Sequence, residues 1–165
     1  SSDLAEEIEQ SLLEIKVEQE LNEQREQEMK ALLLALDHTC HVTELDPDGL
    51  ITYINNKNTE TLGGQKEEIE GKLISELDFV AKNRPKEFKK FWDNLSKGIK
   101  QNREFSLTID GNEVWISENY TPIMNEHNQV TKIINIGFDI SEIKRKEKEM
   151  ASLVAELDML KKKKK

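Results

Sequence analysis

The chain has 165 residues, with 24 basic and 33 acidic side chains, a formal net charge of −9, and a composition 36% hydrophobic and 35% charged. That length fits one domain, but the apolar content is lean for a globule of this size, and the acidity argues against nonspecific nucleic-acid binding. The single cysteine, Cys40, excludes an internal disulfide framework and suits a reducing, cytoplasmic compartment.

The apolar deficit is concentrated at the two ends. Residues 1–37 carry eleven acids against three bases, a local net of −8, and the tail from Glu142 carries nine bases against five acids, a net of +4. No apolar run approaches the roughly 18 residues of a membrane span, and the first residues do not read as a signal peptide. The Ser-Ser start and the five closing lysines read as the edges of a piece of a larger protein, which leaves open whether the parent is membrane-anchored.

Residues 1–36 predict a helix, with no Gly or Pro and an abundance of Glu, Gln, Leu and Lys. A seven-residue frame places Ile8, Ile15, Asn22, Met29 and Leu36 at equivalent positions, and Leu4, Ser11, Glu18, Arg25 and Leu32 at the partner positions. This is a weak two-stranded coiled coil, with polar Asn22 able to fix its register at some cost in stability. A single solvated helix lying back on the core is the alternative.

Residues 37–141 predict an α+β core, large enough for one hydrophobic centre. "HVTELDPDGLITYIN" reads as a hairpin turning at Asp46-Pro47-Asp48-Gly49. "KNTETLGG" and "KEEIEGK" read as short helices closed by glycines. "PKEFKKFWDNLSKG" reads as an amphipathic helix opened by Pro85, with Phe88, Phe91, Trp92, Leu95 and Ile99 as its apolar stripe. A second hairpin turns at Asp110-Gly111, and "TKIINIGFDIS" is the closing strand. Residues 142–165 predict an exit helix, whose heptad positions hold Ile143, Met150 and Leu157, with Leu153 and Leu160 alongside. Together the two end helices suggest a parallel homodimer. Asp139, followed by Ile140 and Ser141, stands where a carboxylate can cap the exit helix and join it to the strand.

Five segments, in order, resemble the PAS domain with its C-terminal extension: "DPDGLITYIN", "TLGGQKEEIEGK", "FWDNLSKG", "GNEVWISENYTPIMNEHNQV" and "GFDISEIKRKE", the last resembling the family's closing Asp-Ile-Thr signature. The resemblance covers about residues 31–150. It implies a five-stranded antiparallel sheet of order 2-1-5-4-3 with helices on one face. It also implies a sensor or relay role inside a signalling protein such as a histidine kinase of a two-component system, a cyclase or a chemoreceptor, with further domains upstream and downstream. Asp139, Ile140 and Ser141 then become the signal junction.

The resemblance also implies a ligand pocket between the sheet's inner face and the helices. Residue parity would line it with Val42, Glu44, Tyr53, Trp92, Ile116, Glu118, Tyr120, Ile134 and Ile136. Glu44 and Glu118 would there meet a polar or cationic small molecule, because an inward carboxylate needs a partner. A register slipped by one residue would instead send both into solvent. Trp92 and Trp115 also suit plain packing, and Cys40 suits a small buried residue. Family members that hold haem use a histidine on the long helix, whereas the histidines here are His38, His41 and His127. Cys40-His41 matches only half of a covalent haem sequence. The flavin photosensors' Asn-Cys-Arg is absent. Noncovalent FAD leaves no sharp motif, so it stays open beside the expectation of no bound cofactor. No nucleophile–base pair, metal-ligand spacing or phosphate loop is present, so no catalytic site is expected. The alternative to a sensor is a ligand-free dimerisation linker between coiled coils.

Overall fold

The computed structural model describes residues 1–164; residue 165, the last of the terminal lysines, lies outside them. The chain divides into two units, Ser1–Asp37 and His38–Lys165. The first is one helix, α1 (Ser2–Leu36), with side chains of Gln10 and Gln24 donating to Glu14 and Glu28 one turn on. None of its residues is buried, and Leu4, Ile8, Ile15 and Met29 are each at least half exposed.

The second unit begins with β1 (His41–Leu45) and β2 (Ile51–Ile54). Their turn is built by Asp46, whose carboxylate accepts from the Asp48 and Leu50 amides at 2.9 Å each. Gly49 is required there twice over. Its φ is +89°, and a Cβ would stand 3.3 Å from the Trp92 ring. Four short helices follow, α2 (Asn56–Leu62), α3 (Lys66–Ile69), α4 (Ile74–Leu77) and α5 (Phe79–Asn83), and then the longer α6 (Pro85–Ser96). Residues 73–84 carry no legible periodicity in the sequence, because helices of four and five residues are too short to show one. The expected apolar stripe of α6 runs on to Ile99. Because α6 ends at Ser96, that residue lies beyond the helix and is half exposed.

Three long strands complete the sheet: β3 (Gln101–Ile109), β4 (Asn112–Met124) and β5 (Val130–Asp139). Asp110 and Gly111, with φ of 51° and 80°, make the two-residue β3–β4 turn, whose twist matches the strands. The exit helix α7 (Ser141–Lys163) follows β5 after one residue. The sheet is antiparallel throughout, in the order β2-β1-β5-β4-β3 expected from the resemblance.

Residues directly opposite one another in neighbouring strands share a face. The pairings put Leu45, Ile133, Tyr120 and Ile51 on the inner face, where they form the core with Ile54 and with Leu95 of α6, and Phe91 and Trp92 pack against them. Asn55, 2% exposed, pins β1 to α2. Its side-chain oxygen accepts from Val42 N (3.1 Å) and caps α2 at Asn58 N (3.4 Å), while its nitrogen donates to Cys40 O at 2.8 Å. Asn55→Ala removes these bonds, among them the side-chain acceptor of the buried Val42 amide. It is expected to lower unfolding free energy by about 2–4 kcal/mol in urea titration.

Candidate functional site

The inner face carries charge where a hydrophobic core would be expected. Along β3, Arg103 shares the inward parity of Phe105 and Leu107, and it stands directly opposite Glu118 on β4. Its Nε donates to Glu118 Oε2 at 2.7 Å. Its Nη1 donates to Asp78 Oδ1 at 3.3 Å, its Nη2 donates to Asp78 Oδ2, and the same Nη2 reaches the Tyr120 hydroxyl at 3.1 Å. The side chains of Arg103, Asp78 and Glu118 are only 17%, 7% and 13% exposed. The rings of Phe91, Phe105 and Tyr120 surround the guanidinium, with centroids 5.1–5.3 Å away.

Burial on its own would lower the Arg103 pKa; Tyr120, Asp78 and Glu118 together reverse that and raise it, so the guanidinium stays charged. The Tyr120 phenol is pushed well up, first by burial and then by the Glu118 charge. Asp78 also accepts from Ala81 N at 3.0 Å, capping α5. Arg103 therefore ties the α4–α5 segment to the inner face of β3 and β4. Asn135 on β5 extends the cluster by donating to Glu118 Oε1 at 3.3 Å.

Of the residues the sequence reading assigned to the pocket, the register brings together Ile116, Glu118 and Tyr120 on the inner face, with Trp92 packed over it from α6. Val42, Glu44, Ile134 and Ile136 require correction. They alternate with the inward Thr43, Leu45, Ile133 and Asn135 and so lie on the opposite face, where Glu44 meets Lys132 at 3.2 Å and Thr52 at 3.1 Å. Tyr53, directly opposite Glu44, has the Lys66 ammonium 4.5 Å from its ring centroid. Glu44 and Glu118 therefore do not share a pocket. The parity misled because four of the five β1 residues are buried, so alternation carries no signal there. Arg103, Asp78 and Asn135 were missed. A signal existed for Arg103, a cation at an inward position of an otherwise alternating strand.

His41 lies at the end of this face, with Nδ1 3.3 Å from Gly137 O and Nε2 2.9 Å from Thr61 Oγ1. The carbonyl can only accept, so Nδ1 carries the proton and Nε2 accepts from the hydroxyl. Burial lowers the His41 pKa from the usual 6.5, outweighing the Gly137 hydrogen bond that would raise it. The unfolded chain then takes up the proton first. Stability is full above that usual value and is lost as pH falls towards the lower folded one. Urea titrations of wild type should show this loss as pH falls below about 7, and His41→Gln should flatten it. Among the described residues no group of three or more His, Cys, Asp or Glu is arranged to hold a metal.

The second feature is the junction of β5 with α7. Asp139 Oδ1 accepts from Ser141 N at 2.9 Å, at the start of the helix. The Ser141 hydroxyl oxygen accepts from Trp115 N on β4 at 2.9 Å, and Ile140 N donates to Trp115 O at 2.8 Å. One turn on, Lys144 pairs with Glu104 of β3 at 2.9 Å, its ammonium 5.0 Å from the Trp115 ring centroid. The helix is thus held by three strands. On the same helix Ile143, Met150, Leu153, Leu157 and Leu160 are all more than half exposed.

Residues 38–142 match the family model described as PAS domain. The chain is 31% identical over 121 residues to the biofilm dispersion protein BdlA of Pseudomonas aeruginosa, which covers 73% of this chain but only 29% of BdlA. Among solved structures it resembles the PAS domain of an HTR-like protein from Haloarcula marismortui, with TM-score 0.52, 22% identity, and 73% of this chain and 99% of that one covered. It also resembles the PAS domain of Bordetella pertussis BvgS, with TM-score 0.54, 17% identity, and 79% and 98% covered.

Proposed function

The chain belongs to the PAS domain family, and from that premise we propose that it is the noncatalytic input or relay module of a larger signalling protein. An event at the inner face changes the arrangement of the exit helices in a homodimer. One observation carries this reading: a single strand, β4, presents Glu118 and Tyr120 to the inner cluster and, at Trp115, holds Ile140 and Ser141 of the junction. A shift of β4 cannot leave the start of α7 unmoved. The exposed apolar stripe of α7 supplies the surface a second copy would cover, and α1 offers another. Two helix arrangements need differ by only a few kcal/mol for an input to switch them.

A histidine kinase, cyclase or chemoreceptor output and a cytoplasmic location fit this role as proposals. No cofactor is assigned. The long helix α6 offers no histidine for haem, and His41 is engaged by Gly137 and Thr61. The second reading, a ligand-free alignment module, is favoured by one observation: Leu45, Leu95 and Ile133 are fully buried and Tyr120 is 2% exposed, so the chain's own side chains fill much of the inner face. The deciding experiment measures output of the full-length protein with inner-face variants that remain folded. Changed output supports a sensor or relay, and output indifferent to every such variant supports the alignment module. Absorbance of the purified protein above about 300 nm reports any bound aromatic cofactor.

A further inference from the structure

One buried acceptor on the inner face has no donor. Asn135 is 4% exposed, and its Oδ1 has no hydrogen-bond partner. Turning the amide over does not help, because Nδ2 already donates to Glu118 Oε1, and a carboxylate can only accept. The neighbouring charges are also unbalanced, with two carboxylates, Asp78 and Glu118, against one guanidinium, Arg103. Thr43 and Tyr120 stand directly opposite Asn135 on the flanking strands. Further along β5, Gly137 keeps the strand bare beside Glu118, where a Cβ would come within 3.6 Å of Glu118 Cγ and 3.3 Å of His41 Cβ.

We propose that this corner, Asn135 with Glu118, Thr43 and Tyr120, is a subsite for a small organic cation bearing N–H donors, a primary ammonium or an amidinium. The orphan oxygen calls for a donor. The surplus carboxylate selects a cation over a neutral or anionic group, and the Tyr120 ring nearby favours the same charge. The inference rests on reading the inner face as the input site, and it names what that face accepts.

The test uses the isotopically labelled chain and nuclear magnetic resonance. Acetamidinium chloride and methylammonium chloride are titrated in, with sodium acetate at matched ionic strength as control. The expected result is a saturating shift of the Asn135 side-chain amide with the cations and not with acetate, weakened at least tenfold in Asn135→Leu. Thr43→Val, which leaves the ion cluster intact, is a second variant should the first fail to fold, and it is expected to weaken binding less. Non-saturating shifts spread over the chain, an equal response to acetate, or a single water on Asn135 Oδ1 that neither cation displaces in a crystal soak would overturn the proposal. The backbone amides of residues 140–144 separate the two claims. If they move in Asn135→Leu although no cation binds, the input reading stands and the subsite falls. If cations bind and those amides stay still, the subsite stands and the coupling fails.

Discussion

Replacing Arg103 with methionine is expected to cost about 3–5 kcal/mol of folding stability, read as a lower urea midpoint at neutral pH. The side chain is 83% covered, and it is the cation shared by Asp78 and Glu118. Its loss leaves both carboxylates in a largely dry place facing one another's charge, and it also removes the donor to Tyr120. The cost is therefore mainly the exposed desolvation penalty of what remains, beyond any worth of the ion pair itself. A triple variant, Arg103→Met with Asp78→Asn and Glu118→Gln, removes the charge altogether and should regain most of the loss. If the single variant costs under about 1 kcal/mol, as an exposed surface pair would, the cluster is not the buried anchor described above.

The second large effect is on signalling. Asp139→Ala removes the cap on Ser141 N, and such caps contribute about 1 kcal/mol. The core should stay folded, since Asp139 lies outside it and the Trp115 bonds to Ile140 and Ser141 survive. Amide exchange at the first turn of α7 should rise about fivefold, which is what that energy is worth, and output of the full-length protein should be lost. The bond also has a pH signature. Burial would raise the Asp139 pKa, but the Ser141 hydroxyl and amide, with the His41 and Lys57 charges, bring it below the usual 3.8. Its stabilising contribution is then whole above that usual value and disappears only as pH falls through the lower folded one. Protection at the junction should accordingly be flat through neutral and mildly acid pH. Unchanged output in the variant would count against a role for this bond in coupling.

These effects fall on residues whose legibility in the sequence differs for physical reasons. Asp46, Gly49, Asp110 and Gly111 announced their turns because each supplies a local hydrogen bond or a positive φ that few other residues can. Asp139 was legible for the same reason, as a cap is a short-range contact. Arg103, Asp78 and Asn135 meet only through the sheet register and the packing of α5, 25 or more residues apart along the chain for the Arg103–Asp78 pair, and no local pattern encodes that. The Ile134 and Ile136 misplacement shows the opposite hazard. On β5 the inward positions 135 and 137 hold Asn and Gly, while the outward ones hold isoleucine, so hydrophobicity pointed to the wrong face. The inner face of β5 thus changes character along the strand: Ile133 joins the core, while Asn135 turns to the charged cluster through Glu118.

The central claim is that the sheet and the exit helix act as one lever in a two-copy assembly. Its most direct test is the distance between the two α7 helices, measured by pulsed electron resonance between spin labels at Ser152, with Asp139→Ala as comparison. A defined inter-label distance in the wild type, shifted or broadened when the cap is removed, is the result expected. No dipolar coupling in the wild type, meaning one copy alone, or a distribution untouched by Asp139→Ala, would contradict it.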